Sequence, residues 1–273
     1  MIKKIKKIYR ILFPHNLTDH QKFEAVLLEN KSVSTVEKLK DRYKLEINHN
    51  FSVLVRDQNH SDFKVFQQIF SNGEYESVMH LLKLNDIFNK PHIVIDAGAN
   101  IGITSLYLSY YLKNIEVYAI EPDKKNFELL RANCSIPREG SKFVLFNKAL
   151  AESEGKTFLM SNAENAQSDW ALRTEESNQG NIQGITINEI IHDNSLSYIS
   201  LLKVDIEGAE RFIFRSENDL AFLKVTYIVA IEIHDEFAAR QEIHEILLNH
   251  NFLIFEDKET TIGINQSFFT AAK

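Results

Sequence analysis

The amino-acid sequence predicts an α/β protein with a mostly parallel sheet and helices on both faces. Two observations carry this prediction: from residue 91 onward short apolar runs alternate with segments of helical periodicity, and several of the runs end in an acidic residue. Apolar runs are typical of strands buried on both faces, and right-handed βαβ crossovers place helices on both sides of the sheet. Because ligands of such sheets bind beyond the carboxyl ends of the strands, the acids there are the first candidates for a site.

The elements of this part follow one another in a regular order. Strands are predicted at 92–97, 115–121, 143–147, 199–205 and 225–232. Helices are predicted at 101–112, 124–133 and 236–249, and from Ala209. Strand-like pieces near 251–256 and 267–270 close the chain. A polar stretch at 161–184 interrupts the alternation and contains Trp170, which is either a substrate platform or a packing anchor.

The residues before this alternation predict a smaller unit, so the chain divides into an N-terminal helical and hairpin cap (1–90) and a second domain (91–273). Further elements are a hairpin at 43–56 and helices at 62–71 and 74–86. Residues 2–13 form a basic amphipathic pattern. We expect this helix to pack on its own domain or on a second subunit of a homo-oligomer; the alternative is peripheral contact with an anionic membrane.

Composition narrows the class of protein. The 273 residues are 44% hydrophobic and 25% charged, which is typical of a globular protein. We find no apolar run of the ~18 residues that span a bilayer and no signal peptide, and the single cysteine excludes an internal disulfide, so we expect a cytoplasmic protein. The net charge of −7 argues against nucleic acid as a partner.

The most informative segment is Val94-Ile-Asp-Ala-Gly-Ala-Asn-Ile-Gly, at the turn from the first strand of the alternation to its helix. Gly98 and Gly102 allow positive φ and a close approach of the backbone to a ligand, and the free N–H groups of the helix start face the same way. Asn100 replaces the second glycine of the dinucleotide fingerprint. Asp96 favours a ligand with an ammonium or sulfonium group over a pyrophosphate.

A second acid supports a nucleoside ligand at this turn. Glu121 ends the next strand, where a carboxylate can accept hydrogen bonds from both hydroxyls of an adenosine ribose. Together with the glycine turn, this position predicts cofactor binding.

These segments closely resemble the FkbM family of class I S-adenosylmethionine (SAM)-dependent methyltransferases. The matching segments are 63–70 with 73–76, 95–102, 120–122, 149–150, 202–210 and, more loosely, 231–232. The resemblance covers about residues 60–235 and departs from the family at Ile187-Asn188, where the family often has Leu-Asp; we interpret Asn188 as a helix cap.

The resemblance implies a seven-stranded, Rossmann-like sheet and O-methylation of sugars, natural products or lipid-linked glycans. It also implies that Asp96, Gly98, Asn100 and Gly102 line the methionine and ribose side of SAM and that Glu121 holds the ribose diol. The backbone around Ala149 would lie near the adenine. Asp205, at a strand end, would lie beside the transferring methyl group.

A hydroxyl acceptor needs a general base near that methyl group. The candidates are Asp205, Glu207, Glu210, Glu232 and His234. We predict Asp205 as the base with Glu232 and His234 in support, and interpret Glu210 as a stabiliser of its helix. Our site assignment contains no metal; the alternative is a divalent ion held by Asp205, Glu232 and His234. Two other functions stay open, a nicotinamide-dependent oxidoreductase and a non-catalytic SAM-binding subunit.

Overall fold

The structure is a computed structural model that describes residues 18–57, 61–84, 91–136, 139–162, 172–235 and 238–270. Two predictions, the basic helix at 2–13 and the role of Trp170, lie outside these residues. Within them, no helix combines the length and the apolar character that crossing a bilayer requires.

Among its described residues, the N-terminal part contains three helices and a small antiparallel sheet. Helix α1 (Asp19–Glu29) begins at Thr18, which forms a capping box with Gln21. Strands β1 (Val33–Lys38), β2 (Arg42–Ile47) and β3 (Phe51–Arg56) pair in that order. The predicted hairpin is therefore confirmed, and a third strand extends it. Helices α2 (Ser61–Phe70) and α3 (Glu76–Leu84) are confirmed within a few residues.

The first part of the βα alternation agrees with the prediction. Its elements are β4 (His92–Ala97), α4 (Ile103–Tyr111), β5 (Ile115–Ile120), α5 (Lys124–Cys134) and β6 (Ser141–Phe146). Asp123 caps α5 by accepting from the N–H of Asn126.

Residues 149–185, which include most of the polar interruption, contain strands that the sequence did not predict. These are β7 (Ala149–Leu150), β8 (Thr157–Asn162), β9 (Leu172–Glu176) and β10 (Ile182–Ile185), which form a second sheet in the order β7-β10-β8-β9. Ala149 thus lies in a strand of this second sheet, paired with Gly184.

The remaining elements complete the large sheet. They are α6 (Ile187–Asp193), β11 (Ile199–Val204), α7 (Glu210–Ile213), α8 (Phe222–Val225), β12 (Thr226–Glu232), α9 (Arg240–Asn249), β13 (Phe252–Asp257), β14 (Thr260–Asn265) and α10 (Ser267–Thr270). The prediction of a strand at 267–270 is wrong, because that segment is a helical turn and the last strand precedes it. The prediction that Asn188 caps α6 is also wrong, because Thr186 caps it in a box with Glu189.

The large sheet has seven strands in the order β13-β14-β12-β11-β4-β5-β6. Strands β4, β5, β6, β11 and β12 are parallel, whereas β14 runs antiparallel to both of its neighbours. The predicted fold class is therefore confirmed. Since β5 lies on one side of β4 and β11 on the other, the chain order switches at β4, and a crevice opens at the carboxyl ends of β4 and β11.

Alternate residues of the strands enter apolar clusters on opposite faces of the sheet. Val94 packs with α4, α5 and the N-terminal elements, whereas Ile93 and Ile95 pack with α6, α8 and α9. Residues 18–84 therefore share a core with one face of the sheet. The division into units 1–90 and 91–273 stays a prediction.

A buried amide also joins the N-terminal sheet to this core. Asn133 of α5 is fully buried; its Oδ1 accepts from the N–H of Leu54 at 2.7 Å, and its Nδ2 donates to the carbonyls of Leu54 and Ile101 at 3.1 and 2.8 Å. Strand β3 is thereby tied to the loop that follows β4.

Candidate functional site

The glycine loop after β4 is shaped by contacts with the protein itself. Gly98 has φ +75°, and a Cβ there would lie 1.7 Å from the carbonyl oxygen of Asp205. Gly102 has φ +86°, and a Cβ there would lie 2.6 Å from the side chain of Leu130. The positive φ expected from the sequence is present at both glycines, but the close approach at Gly98 is to a backbone carbonyl of the protein, whereas the sequence interpretation expected a ligand.

Glu121 joins this loop to the end of β5. The buried carboxylate accepts from the N–H of Asn100 at 2.8 Å and from the N–H of Asp123 at 2.9 Å, one on each oxygen. Burial raises the pKa of Glu121 to about 7, although these two hydrogen bonds oppose the shift. Asn100 has φ +50°, and its buried Oδ1 has no hydrogen-bond partner within the described part of the chain. A buried acceptor of this kind fits a bound ligand with a donor group.

Asp96 faces the interior of the protein. It is fully buried, accepts from the hydroxyl of Ser105 at 2.6 Å, and lies 3.3 Å from Lys203 Nζ. Lys203, on β11, also donates to the carbonyl of Gly98 at 2.8 Å and lies 3.5 Å from Asp205 Oδ2. Asp96 therefore stabilises the loop through an ion pair rather than by facing a ligand.

Lys203 is a residue of the candidate site that the sequence analysis missed. Despite the cost of burial, the neighbouring Asp96 and Asp205 carboxylates raise its pKa well above the usual range, so it is a cation. A lysine inside an otherwise apolar strand, two residues before a strand-end acid, is the signal that could have indicated it.

A cavity lies over this loop at the carboxyl ends of the strands. Its lining includes five of the predicted site residues, Gly98, Asn100, Glu121, Ala149 and Asp205. It also includes residues that were not predicted, among them Thr104, Asn126, Met160, Thr174, Lys203 and the apolar Ile120, Pro122 and Leu150. Four predicted site residues are not part of the lining, namely Asp96, Gly102, Glu232 and His234. The structure thus brings the loop, Glu121 and Asp205 together around one space, with the other four behind or beside it.

Carboxylates are concentrated beside this cavity. Burial, with repulsion from Asp205, raises the pKa of Glu232 to about 8 and also raises the pKa of Glu74. Glu74 comes from the loop before α3, so its position near the strand ends was not predictable from the strand pattern. At neutral pH Glu232 is mostly protonated, which is unfavourable for a base.

His234 is held between two glutamates. Its N–H and its Nδ1 contact Glu210 Oε1 at 2.8 and 3.0 Å, and its Nε2 lies 3.5 Å from Glu207 Oε2. Burial lowers the pKa of His234, but the bonds to Glu207 and Glu210 outweigh this effect and raise it to about 11. The expectation that His234 supports the base is therefore not favoured, because an imidazolium cannot accept a proton.

Glu210 stabilises the part of the site around His234. Its side chain is 1% exposed, and its second oxygen accepts from the N–H of Gly208 at 2.9 Å. The helix it begins, α7, has a single turn. Glu210 thus connects the ends of β11 and β12 through His234, a contact that the sequence interpretation of Glu210 as a stabiliser of its own helix did not include.

Comparisons with known proteins agree with this geometry. Residues 96–254, more than half of the chain, match the methyltransferase FkbM domain. The 31-O-demethyl-FK506 methyltransferase FkbM of Streptomyces tacrolimicus is 25% identical over 209 residues, which are 66% of this chain and 80% of that protein. Methyltransferase sdnD of Sordaria araneosa is 23% identical over 242 residues, 77% of this chain and 89% of that protein.

Among solved structures, magnesium protoporphyrin IX methyltransferase (ChlM) from Synechocystis PCC 6803, with bound SAM, aligns with a TM-score of 0.39 and 13% identity. The alignment covers 70% of this chain and 76% of that one. On the match over residues 96–254, the chain belongs to the FkbM family of SAM-dependent methyltransferases.

Proposed function

We propose that this methyltransferase transfers the methyl group of SAM to a hydroxyl of a carbohydrate or glycan-linked acceptor. The observation that carries the proposal is the position of Asp205, a partly exposed carboxylate in the lining of the same cavity as Asn100 and Glu121. A hydroxyl is a poor nucleophile until a base takes its proton, and a carboxylate beside the cofactor cavity can do so.

One end of the cavity suits the cofactor. Each oxygen of Glu121 accepts one backbone N–H and keeps a second lone pair, which can accept a hydroxyl of the ribose. The unpartnered Oδ1 of Asn100 can accept from a donor of the methionine part. Ile120, Ala149 and Met160 provide apolar surface for the adenine. Asp96 and Gly102 contribute indirectly, by holding the loop in place.

Asp205 is the proposed general base. When bound, SAM supplies an activated methyl group that an acceptor oxygen can displace in line. Asp205 takes the proton of the acceptor hydroxyl, and Lys203, 3.5 Å from Asp205 Oδ2, orients the carboxylate. Glu232, with a pKa of about 8, and protonated His234 are poor competitors for that proton at neutral pH.

The acceptor side of the cavity favours a molecule rich in hydroxyl groups. Asp205 and Glu207 line the cavity there, and Glu74 and Glu232 lie near Asp205. Carboxylates accept hydrogen bonds from sugar hydroxyls and repel anionic acceptors. The S. tacrolimicus relative is named as a 31-O-demethyl-FK506 methyltransferase, a name that places its methyl group on an oxygen and supports the same acceptor atom here.

The direct test is turnover with SAM and a panel of mono- and oligosaccharides, followed as release of S-adenosylhomocysteine by mass spectrometry. Asp205→Asn should lower kcat by about 10²–10⁴-fold with the dissociation constant of S-adenosylhomocysteine nearly unchanged. Asp193→Asn, on the exposed end of α6, is the matched control and should behave as wild type.

Three other results would contradict the proposal. Full activity of Asp205→Asn would exclude Asp205 as the general base. Loss of S-adenosylhomocysteine binding in that variant would show that Asp205 is a cofactor ligand. Cofactor binding without turnover on any acceptor would favour a non-catalytic subunit. The oxidoreductase alternative, already disfavoured by the family, predicts a rise in melting temperature with NAD, whereas we expect that rise with S-adenosylhomocysteine.

A further inference from the structure

We infer that Asp205, Glu207 and His234 form a binding site for a divalent cation at the acceptor side of the cavity. One ligand atom from each residue lies within 4.8 Å of the others. Asp205 and Glu207 follow β11 and His234 follows β12, so the three side chains come from adjacent strand ends. The sequence alternative had used Glu232 in place of Glu207.

The spacing of His234 and Glu207 fits a shared ion. Ligand atoms about 2.0–2.3 Å from one ion lie roughly 3–3.6 Å apart. His234 Nε2 and Glu207 Oε2 are separated by 3.5 Å. A cation can thus take the place of the Nε2 proton between these two side chains, because a ligating imidazole must be neutral.

Glu210 selects the nitrogen of His234 that would bind the cation. Buried Glu210 lies 3.0 Å from His234 Nδ1 and can accept its N–H in the neutral ring. The lone pair of such a ring is then on Nε2, on the side of Glu207. Carboxylate–histidine pairs of this kind orient the ligand ring in metal sites.

An independent observation comes from Glu74. It is 7% exposed, and within the described part of the chain its carboxylate makes no hydrogen bond or salt bridge. It lies close enough to Asp205 for the two carboxylates to repel each other. Lys203 already contacts Asp96 and the carbonyl of Gly98. A cation bound among these acids would balance the charge of this mostly buried carboxylate.

The role of the cation rests on the proposed function. A cation bound beside Asp205 can bind the acceptor hydroxyl and lower its pKa, which eases transfer of the proton to Asp205. Two carboxylates and one imidazole suit Mn²⁺, for which oxygen ligands are favourable and one nitrogen is acceptable.

The test is a titration of the full chain with MnCl₂, followed by the loss of the electron paramagnetic resonance signal of free Mn²⁺. We expect one ion per chain. Glu207→Gln and His234→Gln should each weaken Mn²⁺ binding at least about tenfold. Glu128→Gln and His80→Gln, exposed on α5 and α3, are the matched controls and should bind Mn²⁺ as wild type does.

Binding of S-adenosylhomocysteine, measured in parallel, shows that each variant is folded and separates the two proposals. Absence of Mn²⁺ binding at millimolar concentration, with normal S-adenosylhomocysteine binding, would overturn the cation site and leave the proposed function intact. Mn²⁺ binding that neither Glu207→Gln nor His234→Gln weakens would overturn it as well. Weaker Mn²⁺ binding in both Glu207→Gln and His234→Gln, with wild-type binding in the two controls, would support the cation site.

Discussion

The contact between Gly98 and the carbonyl of Asp205 can be tested by adding a single methyl group. In Gly98→Ala the new Cβ would lie 1.7 Å from that oxygen. Ordinary contact begins near 3.4 Å, so the two loops would have to separate by about 1.7 Å. The substitution therefore moves the glycine loop and Asp205 apart at the point where cofactor and base are proposed to meet.

The expected cost has two parts. An alanine in the left-handed region costs about 1–2 kcal/mol, and forcing an extra carbon into packed structure costs about 1–3 kcal/mol more. We therefore expect Gly98→Ala to lower the free energy of unfolding by about 2–5 kcal/mol in urea denaturation. Because misplacement by about 1 Å can cost about 10²-fold in rate, kcat should fall at least that far.

Gly155 provides the matched control. Its φ is +77°, close to that of Gly98, but a Cβ there would meet nothing within 4 Å. Gly155→Ala should show the cost of the backbone angle alone, about 1–2 kcal/mol, with normal activity. Equal losses of stability in the two variants would refute the close approach of the Asp205 carbonyl.

The further predictions concern three buried polar residues. Glu121→Ala should weaken S-adenosylhomocysteine binding by about 1–3 kcal/mol in calorimetric titration, and an unchanged affinity would remove Glu121 from the ribose site. The pKa of Glu121 is about 7, and its ionised form can accept hydrogen bonds from two ribose hydroxyls. The affinity of the wild-type protein for S-adenosylhomocysteine should therefore fall as the pH drops from 8 to 6, and Glu121→Gln should lack this dependence. Lys203→Met leaves Asp96 as an uncompensated buried charge, so it should lower the free energy of unfolding by about 3–5 kcal/mol, and a loss below 1 kcal/mol would contradict the ion pair. Asn133→Leu leaves the Leu54 and Ile101 backbone groups unpaired, so it should lower the free energy of unfolding in urea by about 1–3 kcal/mol. An unchanged free energy of unfolding would show that these hydrogen bonds do not stabilise the protein.

Much of the large sheet was predictable because its central strands are buried on both faces. Strands β4, β5, β11 and β12 are apolar along most of their length, and such runs are recognisable without neighbours. The strand-end acids followed directly, since Asp205 and Glu121 come immediately after these runs.

Strand β14, which lies next to the edge strand β13, was less accessible to sequence reasoning. Strand β14 begins with two buried threonines, Thr260 and Thr261, so its sequence lacks the continuous apolar run that identifies a buried strand. Its burial comes from antiparallel pairing with β12 and β13, which the local pattern does not encode. The strands of the second sheet are also short and mixed in polarity, so their local sequence pattern did not reveal them either.

The sequence by itself determined the parallel sheet, the glycine turn and the acids that follow the strands, because strand propensity and turn chemistry are local. Only the tertiary structure decided what these residues contact. Gly98 faces a carbonyl more than a hundred positions away, Lys203 neutralises Asp96 from the neighbouring strand, and His234 is held by Glu210. These contacts depend on the order and register of the strands, since the register brings distant residues within hydrogen-bond distance, and burial then sets their charge.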